Sequence, residues 1–147
     1  MRAPRDGDKN VNMRAMTLSL LLLLTACQTP PNAAHTRANS LDWAGVYQGT
    51  VPCADCEGIE TTLRLASDGT YQLSMTYLGK STPPFSSAGS FEWHQDGRAI
   101  LLNAGDGTPR FYRVEENRLR QLDTRGAPIK SALADKYVLR KVRSPSG

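Results

Sequence analysis

From Gly45 onward the chain alternates apolar and polar residues with a period of two, the pattern of strands that bury one face. In "IETTLRLASDGTYQLSMTYLG", Ile59, Leu63 and Leu65 alternate with Glu60, Thr62 and Arg64. Beyond Ser67, Asp68 and Gly69, which supply a hairpin turn, Tyr71, Leu73, Met75 and Tyr77 alternate with Gln72, Ser74 and Thr76. The stretch "SFEWHQDGRAILLN" places Phe91 and Trp93 on one face, turns at Asp96 and Gly97, and continues with Ile100 and Leu102. "PRFYRVEENRLRQLD" turns at Glu116 and Asn117, and "DKYVLRK" closes the pattern with Tyr137 and Leu139. With "GVYQGT" as the first, this gives about eight short strands. The segment at residues 129–136, "IKSALADK", has room for one short helix.

A meander of this kind predicts an all-β domain, a small lipocalin-like antiparallel up-and-down β-barrel, because closure removes the strand edges that an open sheet exposes. A two-sheet sandwich shares the same periodicity. The stretch "STPPFSSAG", residues 81–89, reads as a loop or irregular edge, since two prolines exclude a central strand.

The ends of the chain read differently. Arg14 precedes a short uncharged apolar run at residues 18–26, about half the ~20 residues that span a bilayer, so residues 1–26 read as a secretory signal. Met13 opens a more usual signal than Met1 does. "LTAC" ends the run at Cys27 and resembles a bacterial lipobox. That likeness implies a lipidated Cys27 as the mature N-terminus, a membrane anchor, and, with Gln28 next to it, the periplasmic face of the outer membrane. Residues 27–44 then comprise the lipidated end and a polar tether rich in proline and alanine, residues 45–142 the domain, and residues 143–147 a tail.

Charge narrows the partners only slightly. The chain carries a net +4, and because the first 26 residues hold four basic and two acidic side chains, residues 27–147 carry +2. The basic residues are interspersed with acidic ones, without the basic runs and interleaved aromatics of nucleic-acid binders, so no nucleic-acid partner is expected. Catalysis is not expected either. His35 falls in the tether and His94 on a polar strand face, and no nucleophile pairs with a base.

The chemistry concentrates in "VPCADC". Cys53 and Cys56 fall on the loop joining the first two strands, with Asp55 and Glu57 beside them. Four readings stay open. As a staple, a four-residue loop gains only about 2 kcal/mol, against about 3 for fifteen residues. A thioredoxin-type catalyst would put the pair at a helix N-terminus, yet a strand follows here, and Asp55 and Glu57 disfavour the thiolate. As a metal site, two thiolates fall short of the tetrahedron that zinc prefers but suit Cu(I), which accepts few soft ligands. A plain turn is the fourth reading. Separately, Tyr71, Tyr77, Phe91 and Trp93 would either line a cavity for a small apolar ligand or fill the barrel as core.

Taken together, "YQGTVPCADCEGIETTLRLASDGTYQLSMTYLG", "GSFEW" and "LRQLDTRGAPIKSALADKYVLRK" resemble the N-terminal domain of the NlpE family of envelope lipoproteins over residues 45 to about 141. The resemblance implies a lipocalin-like barrel on the periplasmic side of the outer membrane. It also implies a part in copper resistance or envelope-stress sensing, with Cys53 and Cys56 as metal or redox residues and an inner-membrane sensor kinase as signalling partner. The alternative function is a lipocalin-like carrier with a purely structural local disulfide. Longer members of the family carry a second, OB-type domain with its own cysteine pair, which has no counterpart in these 147 residues.

Overall fold

The computed structural model describes residues 41–142, so the signal, Cys27 and the tether as far as residue 40 lie outside the described residues, whereas residues 41–44, read from sequence as the end of the tether, belong to the packed domain through Trp43. Eight strands follow one another: β1 (Gly45–Val51), β2 (Gly58–Leu65), β3 (Thr70–Leu78), β4 (Phe85–His94), β5 (Ala99–Asn103), β6 (Pro109–Glu115), β7 (Arg118–Gln121) and β8 (Val138–Val142). Each pairs antiparallel with the next, and β8 pairs with β1, closing the barrel. The sequence left barrel and sandwich open; the closing register of Val46 with Val142, Tyr47 with Lys141 and Gln48 with Arg140 settles the question.

Turn chemistry sets the hairpins. At β2–β3 the Asp68 carboxylate accepts from both the amide and the hydroxyl of Thr70, and Gly69 takes φ +85°. At β4–β5, Gln95, Asp96 and Gly97 all have positive φ, and at β6–β7 Asn117 does. Asp, Asn and Gly are the residue types that tolerate the left-handed region in tight hairpins, and Gln95 adopts it without belonging to them. The expected helix shrinks to a single 3₁₀ turn at Ala134–Lys136.

The stretch at residues 81–89, read as a loop or an irregular edge, divides between the two: residues 81–84 precede the strand, and Phe85 through Ser90 pair on one side only, with Met75 back to Thr70. Both prolines precede the strand, where no ladder hydrogen bond is lost. Only the last four residues of β4, from Phe91 to His94, pair onward to β5. Along the rest of that seam side chains bridge the gap: the Ser87 hydroxyl donates to the Ala104 carbonyl at 2.9 Å and the Tyr71 hydroxyl to the Asn103 carbonyl at 3.1 Å.

The inward positions form one core, in which Tyr47, Leu63, Ile100, Leu102, Leu119 and Leu139 are fully buried. Trp43, just before β1, packs edge-to-face on Phe91 and Trp93, with ring centroids 5.6 and 5.5 Å apart, and so covers one end of the barrel. A second, smaller cluster of Ala99, Phe111 and Leu122 sits on the outer face. There the segment after β7 folds back, bridging Leu122 to Pro128, and the Asp123 carboxylate accepts from the amides of Arg125 and Ala127.

Burial has a measurable consequence at high pH. It pushes the Tyr47 and Tyr112 phenols up to about 12, Asp42 adding to the effect at Tyr47. A raised pKa of this kind means the unfolded chain loses these protons first. Stability is therefore whole below pH 10 and falls between 10 and 12, by roughly 1.4 kcal/mol per tyrosine per pH unit. Two of the five tyrosines are expected to ionise only as far-UV ellipticity is lost. Ionisation of all five near pH 10 in a folded barrel, read at 295 nm, would contradict this.

Candidate functional site: the Cys53–Cys56 loop

β1 stops where Pro52 withdraws an amide donor from the ladder, and β2 resumes at Gly58. The intervening loop is tied to the neighbouring hairpin. The Glu57 amide donates to the Leu78 carbonyl at 3.2 Å, and Gly79, at φ +75°, lies so close to Glu57 that a Cβ would meet its carboxylate at 3.1 Å. The loop thereby sits at the end of the barrel opposite the Trp43 cap.

Cys53 and Cys56 are joined in a disulfide, with their Cα atoms 5.3 Å apart. Asp55 Oδ1 lies 3.6 Å from Cys53 Sγ, and the Gly58 carbonyl lies 3.3 Å from Cys56 Sγ. Asp55 Oδ2 forms an ion pair with Lys80 Nζ at 3.1 Å, which links the loop to the β3–β4 connection. Both cysteines are half-buried and Asp55 is exposed. One ligand atom from each of the three residues falls within 4.8 Å of the others. Beside the disulfide is a cleft of about 350 Å³, lined by Thr50, Val51, Pro52, Glu57, Leu133 and Lys136 together with the two cysteines. Leu133, 44% exposed, is the large hydrophobic side chain left open to solvent among the described residues.

The donor set fits a soft cation in one redox state only. With the sulfurs bonded to each other there is no thiolate to offer. Reduced, the loop supplies two thiolates, which suit Cu(I), and the adjacent Asp55 carboxylate adds negative charge beside them. Sequence reasoning located the cysteines and the acidic residues between and after them. It missed Lys80, Leu133 and Lys136, which reach the loop from connections remote in sequence and carry no motif.

The four aromatics considered as cavity lining are placed as follows. Tyr71 and Phe91 are buried in the core, and Tyr77 and Trp93 pack against it half-buried. The Tyr71 hydroxyl is taken up by the β4–β5 seam. His94 is exposed on the outer face, its ring centroid 5.2 Å from that of Phe111, and Met75 is core.

A family model described as the NlpE N-terminal domain matches residues 47–132, which take in the cysteine loop and the first seven strands. The chain belongs to the NlpE N-terminal domain family. It is 34% identical to lipoprotein NlpE of Escherichia coli (strain K12) over 131 residues, covering 84% of this chain and 54% of that protein. The chain thus spans about half the length of that relative. A 17 kDa lipoprotein of Treponema pallidum (strain Nichols) is 30% identical over 136 residues, 82% of this chain and 86% of that one. Among solved structures, a lipoprotein from Shewanella oneidensis matches at 48% identity with a TM-score of 0.66, over 73% of this chain and 95% of that one. The structure of NlpE from E. coli, titled as a Cpx pathway activator, matches at 37% identity with a TM-score of 0.52, over 60% of this chain and 45% of that one. These relatives carry the names of lipoproteins and of a pathway activator rather than of enzymes.

Proposed function

We infer that this chain is an envelope lipoprotein, anchored through Cys27 on the periplasmic face of the outer membrane, that reports copper through Cys53 and Cys56 to an envelope-stress sensor kinase. The observation that carries the reading is the Cys53–Cys56 pair, close enough to be bridged, on a loop with the exposed Asp55 and a cleft beside it. The E. coli relative, described as an activator of the Cpx pathway, supports the signalling part. In this reading a protein dithiol gives two electrons and two protons to the disulfide, yielding two thiols here and a disulfide in the donor. The thiols release their protons as Cu(I) binds. Asp55 and Glu57 add negative potential that favours a cation, and the bound state differs from the disulfide at the loop and its cleft.

The test is competition for Cu(I) against a chromophoric chelator. Reduced protein is expected to bind at least tenfold more tightly than the oxidised form or Cys53→Ser. Equal affinity in all three would remove the pair from any metal role. Circular dichroism should show Cys53→Ser folded, since a four-residue loop loses only about 2 kcal/mol with its bridge.

A further inference from the structure

A different surface carries a further inference, independent of the cysteine loop. Alternation sends Arg113 and Glu115 of β6, Arg118 and Arg120 of β7 and Arg140 of β8 to the outer face of the barrel. The register then sets Arg113 directly opposite Arg120 and Arg118 directly opposite Arg140. Like charges at paired positions destabilise a sheet. Glu115 alone offsets them within the face, accepting from Arg118 Nε at 2.5 Å and from Arg120 Nε at 3.2 Å. Arg120 also lies 3.6 Å from Asp135, at the margin. Arg113 and Arg140 have no carboxylate within 4.0 Å among the described residues. Burial raises the Glu115 carboxyl, but the bonds from Arg120 and Arg118 outweigh it and hold the group below its ordinary value, so it stays ionised. Four guanidinium groups therefore face one carboxylate on a sheet surface whose own pairing would be better served by alternating signs.

We propose that this arginine face docks on the phosphodiester headgroups of an anionic phospholipid surface. Forked guanidinium donors match phosphate oxygens, and four of them on three neighbouring strands of the barrel wall can meet several headgroups at once. The location fits. The forty residues that precede the described part enter it at Leu41, and the next residue, Asp42, is held by Lys141 Nζ through its carbonyl at 2.6 Å and its carboxylate at 3.1 Å. The Lys141 amide in turn donates to the Asn117 carbonyl in the β6–β7 turn. The arginine face thus adjoins the end of the barrel at which the chain enters. Next to Arg113 is a hollow of about 560 Å³, lined also by Gln95, Asp96 and Arg98, with Arg98 3.8 Å from Asp96.

The test uses residues 41–147, a closed barrel with its own core, sedimented with vesicles. One set is phosphatidylcholine alone, the other equal parts phosphatidylcholine and phosphatidylglycerol. Binding is expected to the anionic vesicles only, and to be lost at about 0.5 M salt, where screening is nearly complete within a few ångströms. Each arginine neutralised should weaken partition about fivefold, so Arg113→Gln with Arg140→Gln should weaken it roughly 25-fold. The same double variant should be no less stable to urea, because like-charge repulsion is relieved. Lys130→Gln removes one charge elsewhere and should leave partition within about twofold of wild type, against the roughly fivefold loss expected of Arg113→Gln alone. An equal loss in that control would attribute binding to net charge and overturn the assignment of the face. Absence of vesicle binding overturns the proposal, and salt-sensitive binding to polyglutamate in its place would give the face to an acidic protein.

Discussion

Leu63→Ala is expected to destabilise the barrel by about 3–4 kcal/mol, enough to consume a large part of the roughly 5–15 kcal/mol that holds a domain of this size together. Leu63 is fully buried, and the register places it between Tyr47 of β1 and Leu73 of β3 on the inner face. Removing its three terminal carbons strips contacts from both neighbours and leaves a void that a closed barrel fills poorly, because hydrogen-bonded strands on all sides resist collapse. Urea unfolding should show a lower midpoint with an unchanged slope. A loss under 1 kcal/mol would mean the interior relaxes freely, contrary to a packed core. Leu133→Ala is the contrast, since that side chain is nearly half exposed and lies outside the core, and its loss should stay under about 1 kcal/mol.

Why Leu63 could be identified from sequence while other features could not follows from the range of each signal. Period-two alternation is local, so Leu63, Leu73 and Leu139 announce an inner face without reference to the fold. Asp68-Gly69 and Glu116-Asn117 announce turns because Gly69 and Asn117 take the left-handed backbone, which restricts the residue types there. The position of Cys53 and Cys56 between two strands was legible for the same reason. Closure was not, since Val46 and Val142 are paired across nearly the whole domain. Nor was the arginine face, because each arginine looks like an ordinary solvated strand residue until registers align them. The satellite cluster did leave a trace. "AILL" and "FY" break the alternation, and adjacent apolar residues on both faces are what a strand covered on its outer side requires. Phe111 and Ala99 are covered there by the Leu122 segment, which ordinary loop reasoning would have left on the surface.

Gly49→Val is expected to prevent barrel closure, and Gly49→Ala to cost about 1–3 kcal/mol. A Cβ at this position would sit 2.6 Å from the Val138 carbonyl oxygen and 3.2 Å from Leu139 Cδ2. Rotation of a side chain can relieve the second contact but not the first, which is backbone. The site lies next to Gln48, whose pairing with Arg140 is the last in the short ladder between β1 and β8. That ladder has only three residue pairs, so little hydrogen bonding opposes a local displacement, and valine would force the seam apart. Gly69→Ala is the discriminating comparison. Gly69 has φ +85° and nothing within 4 Å of its Cβ position, so only conformational strain is added, about 1 kcal/mol. If Gly49→Ala proved no worse than Gly69→Ala, the close approach of β1 to β8 would not be a constraint on the fold. If Gly49→Val disrupts the seam as expected, the effect should propagate along β1 to Val51 and Pro52, and the Cys53–Cys56 loop should become reducible by a small thiol at lower concentration than in wild type. The link is mechanical: the loop keeps its geometry only while β1 is held on both sides, by β2 and by β8.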